Sequence, residues 1–133
     1  MMTLEEARKY FIDDRYAMIT TGIEIDEVGE NFAKCSLNVE DRHMAVGNHV
    51  MGGAIYTLAD FAFAVASNSG DSITFTTTST ITYLSQPKDM KLIATCECIR
   101  DGRKTCYFET KITDGLGNIV ACVVANGMHI EKK

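Results

Sequence analysis

Along the chain the spacing of apolar residues changes period several times, and each change marks an element. Leu4, Ala7, Tyr10 and Phe11 recur at helical spacing behind Thr3, which can cap a helix whose first turn holds Glu5 and Glu6. The spacing predicts a peripheral helix over about residues 3–20. From Gly22 the period shortens to alternation, in Ile23-Glu24-Ile25 and in Phe32-Ala33-Lys34-Cys35-Ser36-Leu37-Asn38-Val39, joined near Gly29 as a hairpin. Residues 41–49 are polar and contain glycine, the composition of a loop.

Gly52-Gly53 then opens a helix over about residues 53–68 that is apolar nearly all round, through Ile55, Leu58, Phe61, Ala62, Phe63, Val65 and Ala66. Such a helix has no solvent face and must be wrapped. Four strand-like segments follow. Residues 73–84 set Ile73, Phe75, Ile81 and Tyr83 against a run of threonines, and residues 92–100 place Leu92, Ala94, Cys96 and Cys98 on one side. Turns at Asp101-Gly102 and at Asp114-Gly115-Leu116-Gly117-Asn118 join residues 92–100, 107–113 and 119–130 into an antiparallel meander. The order of elements has no β-α-β alternation, which excludes a parallel doubly wound sheet. It predicts an α+β hotdog fold, an antiparallel β-sheet wrapped around a long central helix. Edge strands left open in one copy predict a dimer or a dimer of dimers.

Composition narrows the class. A chain of 133 residues, 46% hydrophobic, 23% charged and with one proline, has the size and makeup of a single globular domain over 1–133. Its net charge of −5 and the absence of any basic run beyond Lys132-Lys133 disfavour a nucleic-acid partner. The five cysteines Cys35, Cys96, Cys98, Cys106 and Cys122 are odd in number and lie within apolar or alternating stretches, which predicts reduced core residues and a cytoplasmic protein. Acids precede the basic residues of the N-terminus and no apolar segment follows, unlike a secretory signal. The charge-poor stretch 50–70 holds Asp60 at its centre and is too short in its apolar part to span a bilayer, so no membrane partner is expected.

Asp60 is the one charge in that stretch, and a carboxylate on a buried helix must be paired, hydrogen-bonded or protonated. A structural acid satisfied by a neighbouring strand or subunit is one reading; an acid with a shifted pKa, kept for catalysis, is the other. Gly52 and Gly53 stand where the backbone N–H groups of the helix have no internal acceptor and the helix dipole is positive. These amides can hold an oxyanion, while Asp60 about two turns later can activate water or attack a carbon.

Residues 51–68, Met51-Gly52-Gly53-Ala54-Ile55-Tyr56-Thr57-Leu58-Ala59-Asp60 and then Ala62-Phe63-Ala64 and Ser67-Asn68, resemble the pattern of PaaI-type (phenylacetate-pathway) hotdog thioesterases, His-Gly-Gly-x-x-x-x-Leu-Ala-Asp followed by Ala-Phe-Ala and Ser-Asn. Ile81-Thr82-Tyr83-Leu84-Ser85-Gln86-Pro87 and Asp114-Gly115 are similar to the family as well, so that the resemblance covers about residues 22–129. It implies hydrolysis of an acyl-coenzyme A thioester to a carboxylate and free thiol, between subunits of a homotetramer, with coenzyme A as part of the substrate and no further cofactor. Asp60 falls on the family's general base or nucleophile, Gly52 on the residue whose N–H polarises the carbonyl, and Thr76 near the strand hydroxyl that positions water. Gly53 joins Gly52 at the substrate.

Two positions depart from the pattern. Met51 stands for the family's histidine and Ala45 for its asparagine, and both lost groups orient the substrate carbonyl and the water. Asn48 or His49, from the same loop, would supply replacement hydrogen bonds; the bland readings are a solvated loop histidine for His49 and plain packing for Met51. These departures support an alternative, a non-catalytic acyl-CoA or hydrophobic-ligand binding hotdog protein. Cys96 and Cys98 have too few neighbouring ligands for a metal, and none is assigned. His129 reads as a structural histidine, and Lys88, Lys91, Arg100, Arg103 and Lys104 are candidates for the phosphates of coenzyme A. Ile55, Phe61, Phe63 and Tyr83 are candidates for the acyl pocket or equally for the core.

Overall fold

The computed structural model describes residues 1–132; Lys133, the end of the short basic tail, lies outside the described residues. The first helix is shorter than its spacing predicts. α1 (Leu4–Phe11) starts at a complete capping box, with the Glu6 N–H donating to Thr3 Oγ1 and the Thr3 N–H to Glu6 Oε1. It stops before Asp13-Asp14, and a single π-helical turn, Tyr16–Thr21, follows and ends on Gly22 at φ 88°, the left-handed backbone that glycine adopts without strain.

β1 (Glu24–Gly29) and β2 (Phe32–Asn38) form the expected hairpin. The segment expected to be a plain loop has structure of its own: a 3-10 turn at Asp41–His43, then a miniature hairpin of β3 (Met44–Ala45) and β4 (His49–Val50). His43 fastens it, since its Nδ1 accepts the Glu40 N–H at 2.9 Å, which leaves the proton on Nε2 to be donated to the Thr21 carbonyl at 2.7 Å. The Met51 N–H donates to the His43 carbonyl and brings the chain to the start of α2 (Gly52–Asn68).

β5 (Ser72–Tyr83), β6 (Lys91–Asp101), β7 (Thr105–Asp114) and β8 (Ile119–Lys132) complete one antiparallel sheet of six strands in the order β1-β2-β6-β7-β8-β5. α2 lies across it. Ile55, Leu58, Ala59, Phe61, Ala62, Phe63, Val65 and Ala66 meet the inward residues of the strands, among them Cys35, Leu37, Leu92, Ala94, Phe108 and Ile112. At roughly 1.5–3 kcal/mol for each large side chain taken out of water, this contact holds the helix in the curl of the sheet.

Two expectations about burial are corrected. α2 does have an outward face: Gly53 and Asp60 are exposed and Thr57, Ala64 and Asn68 half-buried, a stripe at steps of three and four residues that the sheet does not cover. Nor does β5 bury its apolar set. Phe75 is 61% and Tyr83 50% exposed while Thr74 is buried, because shifts of register between Ile73 and Thr74 and between Thr76 and Thr78 interrupt the alternation. The two edges of the sheet also differ. α1 covers β1, with Arg8 Nε donating to the Ile25 carbonyl at 3.0 Å, whereas among the described residues β5 pairs only with β8.

Candidate functional site

α2 places the candidate groups at two levels. Met51, the N-cap, makes no side-chain capping bond, and the N–H groups of Gly52 and Gly53 have no acceptor among the described residues. Tyr83 lies over this end, its hydroxyl donating to the Gly52 carbonyl at 2.9 Å, and a Cβ at position 52 would stand only 3.0 Å from that oxygen. A side chain at 52 would require the tyrosine to shift by a few tenths of an ångström. Gln86 Oε1 accepts the Val50 N–H at 3.0 Å, and His49, Gly52, Ile55, Tyr83 and Gln86 line a shallow cleft of about 350 Å³.

Asp60 lies eight residues on, which at about 1.5 Å per residue is about 12 Å further along the axis. The residue is exposed, not buried as the helix pattern implied, and stands between two clefts. The larger, about 450 Å³, is lined by Tyr10, Phe11, Asp14, Asp60, Phe63, Thr74, Phe75 and Thr76 among others. The smaller, about 280 Å³, is lined by Asp14, Arg15, Tyr16, Thr57, Asp60 and Phe61 among others. Although open on one side, Asp60 is backed by apolar side chains, and this loss of solvent, with Asp14 adding a second negative charge, raises its pKa above the ordinary carboxylate value.

The structure thus brings Asp60 and Thr76 into one cleft and Gly52 and His49 into another, without joining the two sets within one chain. Met51 is not packed away: it is 56% exposed and borders a fourth cleft with Gly53, Tyr16, Thr20, Arg42 and His43. Asn48 sits at φ 58° in the tip of the β3-β4 hairpin, and His49 is exposed. The acyl-pocket candidates are divided, with Phe63 in the larger Asp60 cleft, Phe61 in the smaller, and Ile55 and Tyr83 beside Gly52. Lys88 and Lys91 lie at one end of β6 and Arg100, Arg103 and Lys104 at the other, about 30 Å away, so no single phosphate group meets both sets in one chain. The cysteines are free; burial holds Cys35 far above the ordinary thiol value, Cys96 at about 12 and Cys106 at about 11, so none of these three is a ready nucleophile.

Asp14 was missed by the sequence reading. Its pKa too is raised, chiefly by loss of solvent and then by Asp13. In sequence it is half of an acidic pair near the end of a helix, and nothing local relates it to Asp60.

Comparisons with known proteins bear on the fold and the family. Residues 47–121 match the model of the Thioesterase superfamily, a span that includes β4, the whole of α2 and the strands through β7. A protein of Archaeoglobus fulgidus whose name proposes an esterase is 28% identical over 119 residues, 89% of this chain and 77% of that protein. In fold, the chain is similar to the Escherichia coli PaaI protein from the phenylacetic acid degradation operon (TM-score 0.85, 24% identity, 98% of this chain and 99% of that one). It is similar also to a hypothetical thioesterase of Streptococcus pneumoniae solved with coenzyme A (TM-score 0.85, 22% identity, 92% and 98%). The fold is the hotdog fold. With more than half of its residues matched by the family model, the chain belongs to the Thioesterase superfamily.

Proposed function

We propose that the protein hydrolyses an acyl-coenzyme A thioester to a carboxylic acid and free coenzyme A, with water as the only co-reactant. The observation that carries this is that α2 bears both backbone N–H groups at its N-terminus without an acceptor among the described residues and, about two turns on, a carboxyl whose pKa is raised. In this reading the Gly52 N–H, helped by Gly53, donates to the thioester oxygen as charge develops there. Asp60, ionised, either takes a proton from water as that water attacks the carbonyl carbon, or attacks the carbon itself to form a mixed anhydride that water then hydrolyses, releasing the acid and restoring the carboxylate; in both the sulfur leaves as thiolate and is protonated. Thr76, which lines the same cleft as Asp60, holds the water in this reading. The coenzyme A in the Streptococcus pneumoniae relative, and the acetyl-CoA in a Streptococcus mutans protein of the same fold (TM-score 0.79, 24% identity, 84% of this chain and 90% of that one), support the choice of thioester.

About 12 Å along one helix is too far for both groups to reach one carbonyl, so the reading requires Gly52 of one copy and Asp60 of another. The uncovered stripe of α2 and the unpaired edge of β5 are the surfaces on which a second copy would lie, as a dimer or a dimer of dimers. Free cysteines favour a reducing, cytoplasmic setting. Among the described residues no helix is long and apolar enough to cross a membrane.

A second reading, an acyl-CoA binding protein without turnover, is favoured by Met51 and Ala45: a thioether stands exposed at the N-cap where the family carries an imidazole. Release of free thiol from short, medium, long and aryl acyl-CoAs, by wild type and by Asp60→Asn, separates the two. Release that disappears in the variant while affinity for the acyl-CoA is kept supports hydrolysis; binding with no Asp60-dependent release supports the second reading.

A further inference from the structure

The proposed chemistry leaves one line of polar side chains unexplained. Thr74 Oγ1 of β5 is 2.7 Å from His129 Nδ1 of β8, and His129 Nε2 is 2.7 Å from Asp101 Oδ1 at the end of β6. Thr74 is 6% exposed and the His129 side chain 12%. Asn68 at the end of α2 grips the Thr74 backbone from both sides, its Oδ1 accepting the N–H at 2.8 Å and its Nδ2 donating to the carbonyl at 3.3 Å. The Thr74 hydroxyl also lies 3.3 Å from the Ser67 carbonyl. Thr74 lines the larger Asp60 cleft with Thr76, while His129 and Asp101 open onto a separate polar cleft behind it.

The protons in this line are determined by chemistry. An ionised carboxylate only accepts, so His129 Nε2 carries a proton toward Asp101. In the neutral ring Nδ1 has a lone pair and takes the Thr74 O–H, which leaves that hydroxyl no proton for Ser67. With the Thr74 hydroxyl committed to Nδ1, its direction is set by the ring; without that acceptor it would turn to the Ser67 carbonyl 3.3 Å away. The ring therefore sets the hydrogen-bonding sense of a residue that lines the Asp60 cleft. The groups around the ring are Asp101 from β6, Thr74 from β5, the Lys104 carbonyl, which accepts the His129 N–H at 2.8 Å, and Glu30, Asp71 and the Met1 end of the chain across the polar cleft.

We infer that His129, oriented by Asp101, is a positioning residue for the Asp60 cleft, acting through the Thr74 hydroxyl on the wall that carries Phe75 and Thr76. The inference rests on the reading of that cleft as the acyl-CoA site. A brace by packing alone keeps its shape in valine, and a brace by the hydrogen bond would lower the melting temperature without lowering kcat at unchanged KM, whereas positioning needs the hydroxyl for kcat itself.

The test measures thiol release from the acyl-CoA panel against pH for wild type, Thr74→Val, Thr74→Ser and His129→Gln, with backbone amide NMR of β5 alongside. In Thr74→Val and His129→Gln kcat should fall roughly three- to tenfold, as for one lost hydrogen bond, with KM changed by no more than about twofold, and Thr74→Ser should keep the wild-type profile. The Phe75 and Thr76 amides should shift between wild type and His129→Gln, and not between Thr74→Val and the Thr74→Val, His129→Gln double variant. A Thr74→Val profile identical to wild type, or a Thr74→Ser protein as impaired as Thr74→Val, overturns the inference. If wild type releases no thiol from any acyl-CoA, the hydrolase reading fails on its own. The NMR arm still decides in that case, because Phe75 and Thr76 amides indifferent to the ring overturn the inference without reference to activity.

Discussion

Asp60 keeps its proton to a higher pH than an ordinary aspartate because solvent is lost behind it and Asp14 repels its charge. A folded-state pKa above the unfolded value means that the folded chain binds the extra proton, so this group lowers stability as pH rises from the unfolded value of about 3.9 through the raised one. Asp60→Asn should therefore melt at a higher temperature than wild type at neutral pH while losing turnover by about a hundredfold or more, and calorimetry beside the thiol assay checks both. A variant that loses turnover and melts lower would point instead to a structural carboxylate. Removing the charge of the neighbour acts in the opposite sense on the pKa: Asp14→Asn should move the acid limb of the activity profile to lower pH without abolishing activity, and an unmoved limb would show that Asp14 does not face the reacting carboxyl.

At the scale of elements, turns and packing decide which residues are held still. Asp114 ends β7 and accepts the Lys88 N–H at 2.8 Å on one oxygen and the Leu116 and Asn118 N–H groups at 2.9 Å on the other. These bonds, the Lys88 N–H first, hold its carboxyl down at about 2. A depressed pKa contributes stability that is complete above the unfolded value of about 3.9 and is lost as pH falls through about 2. Asp114→Asn should lose stability at neutral pH, and the gap from wild type should close over that window in melts taken as a function of pH. Gly127 of β8 lies under the Thr74-His129 pair: a Cβ there would come within 2.7 Å of Thr74 Cγ2, 2.9 Å of Cys106 Sγ and 3.0 Å of Phe63 Cζ. Overpacking of this kind costs about 1–3 kcal/mol, so Gly127→Ala should lower the unfolding free energy by that amount, read from a lower denaturant midpoint at unchanged slope, and displace the wall of the Asp60 cleft.

For the whole molecule, the open question of the fold is what covers β5 and the outward stripe of α2. A strand of 12 residues with one unpaired edge and with Phe75 and Tyr83 exposed invites pairing, and the opposite edge is already closed by α1. Sedimentation should give a multiple of the chain mass. Thr80→Lys with Thr82→Lys, both exposed on β5, should shift the protein to the monomer and remove turnover together, because Gly52 and Asp60 of different copies then separate. A wild-type monomer with full activity would reject the shared site.

The local pattern alone determined the elements that bury the most apolar surface: α2, the meander from β6 to β8, and the Gly-Gly and Asp60 positions on the helix, because period and turn chemistry are properties of neighbouring residues. It misjudged Asp60 as buried, since the exposure of one helix face depends on how far a sheet curls and not on the composition of the helix. It misread β5 because two shifts of register change the face that a residue presents, and the run of threonines carries no trace of them. Asp14, and the line from Thr74 to His129 to Asp101, were illegible for the same reason. Thr74 and His129 are 55 residues apart and His129 and Asp101 28, and only the pairing of β5 with β8 and the turn of β6 into β7 bring their polar atoms within hydrogen-bonding distance.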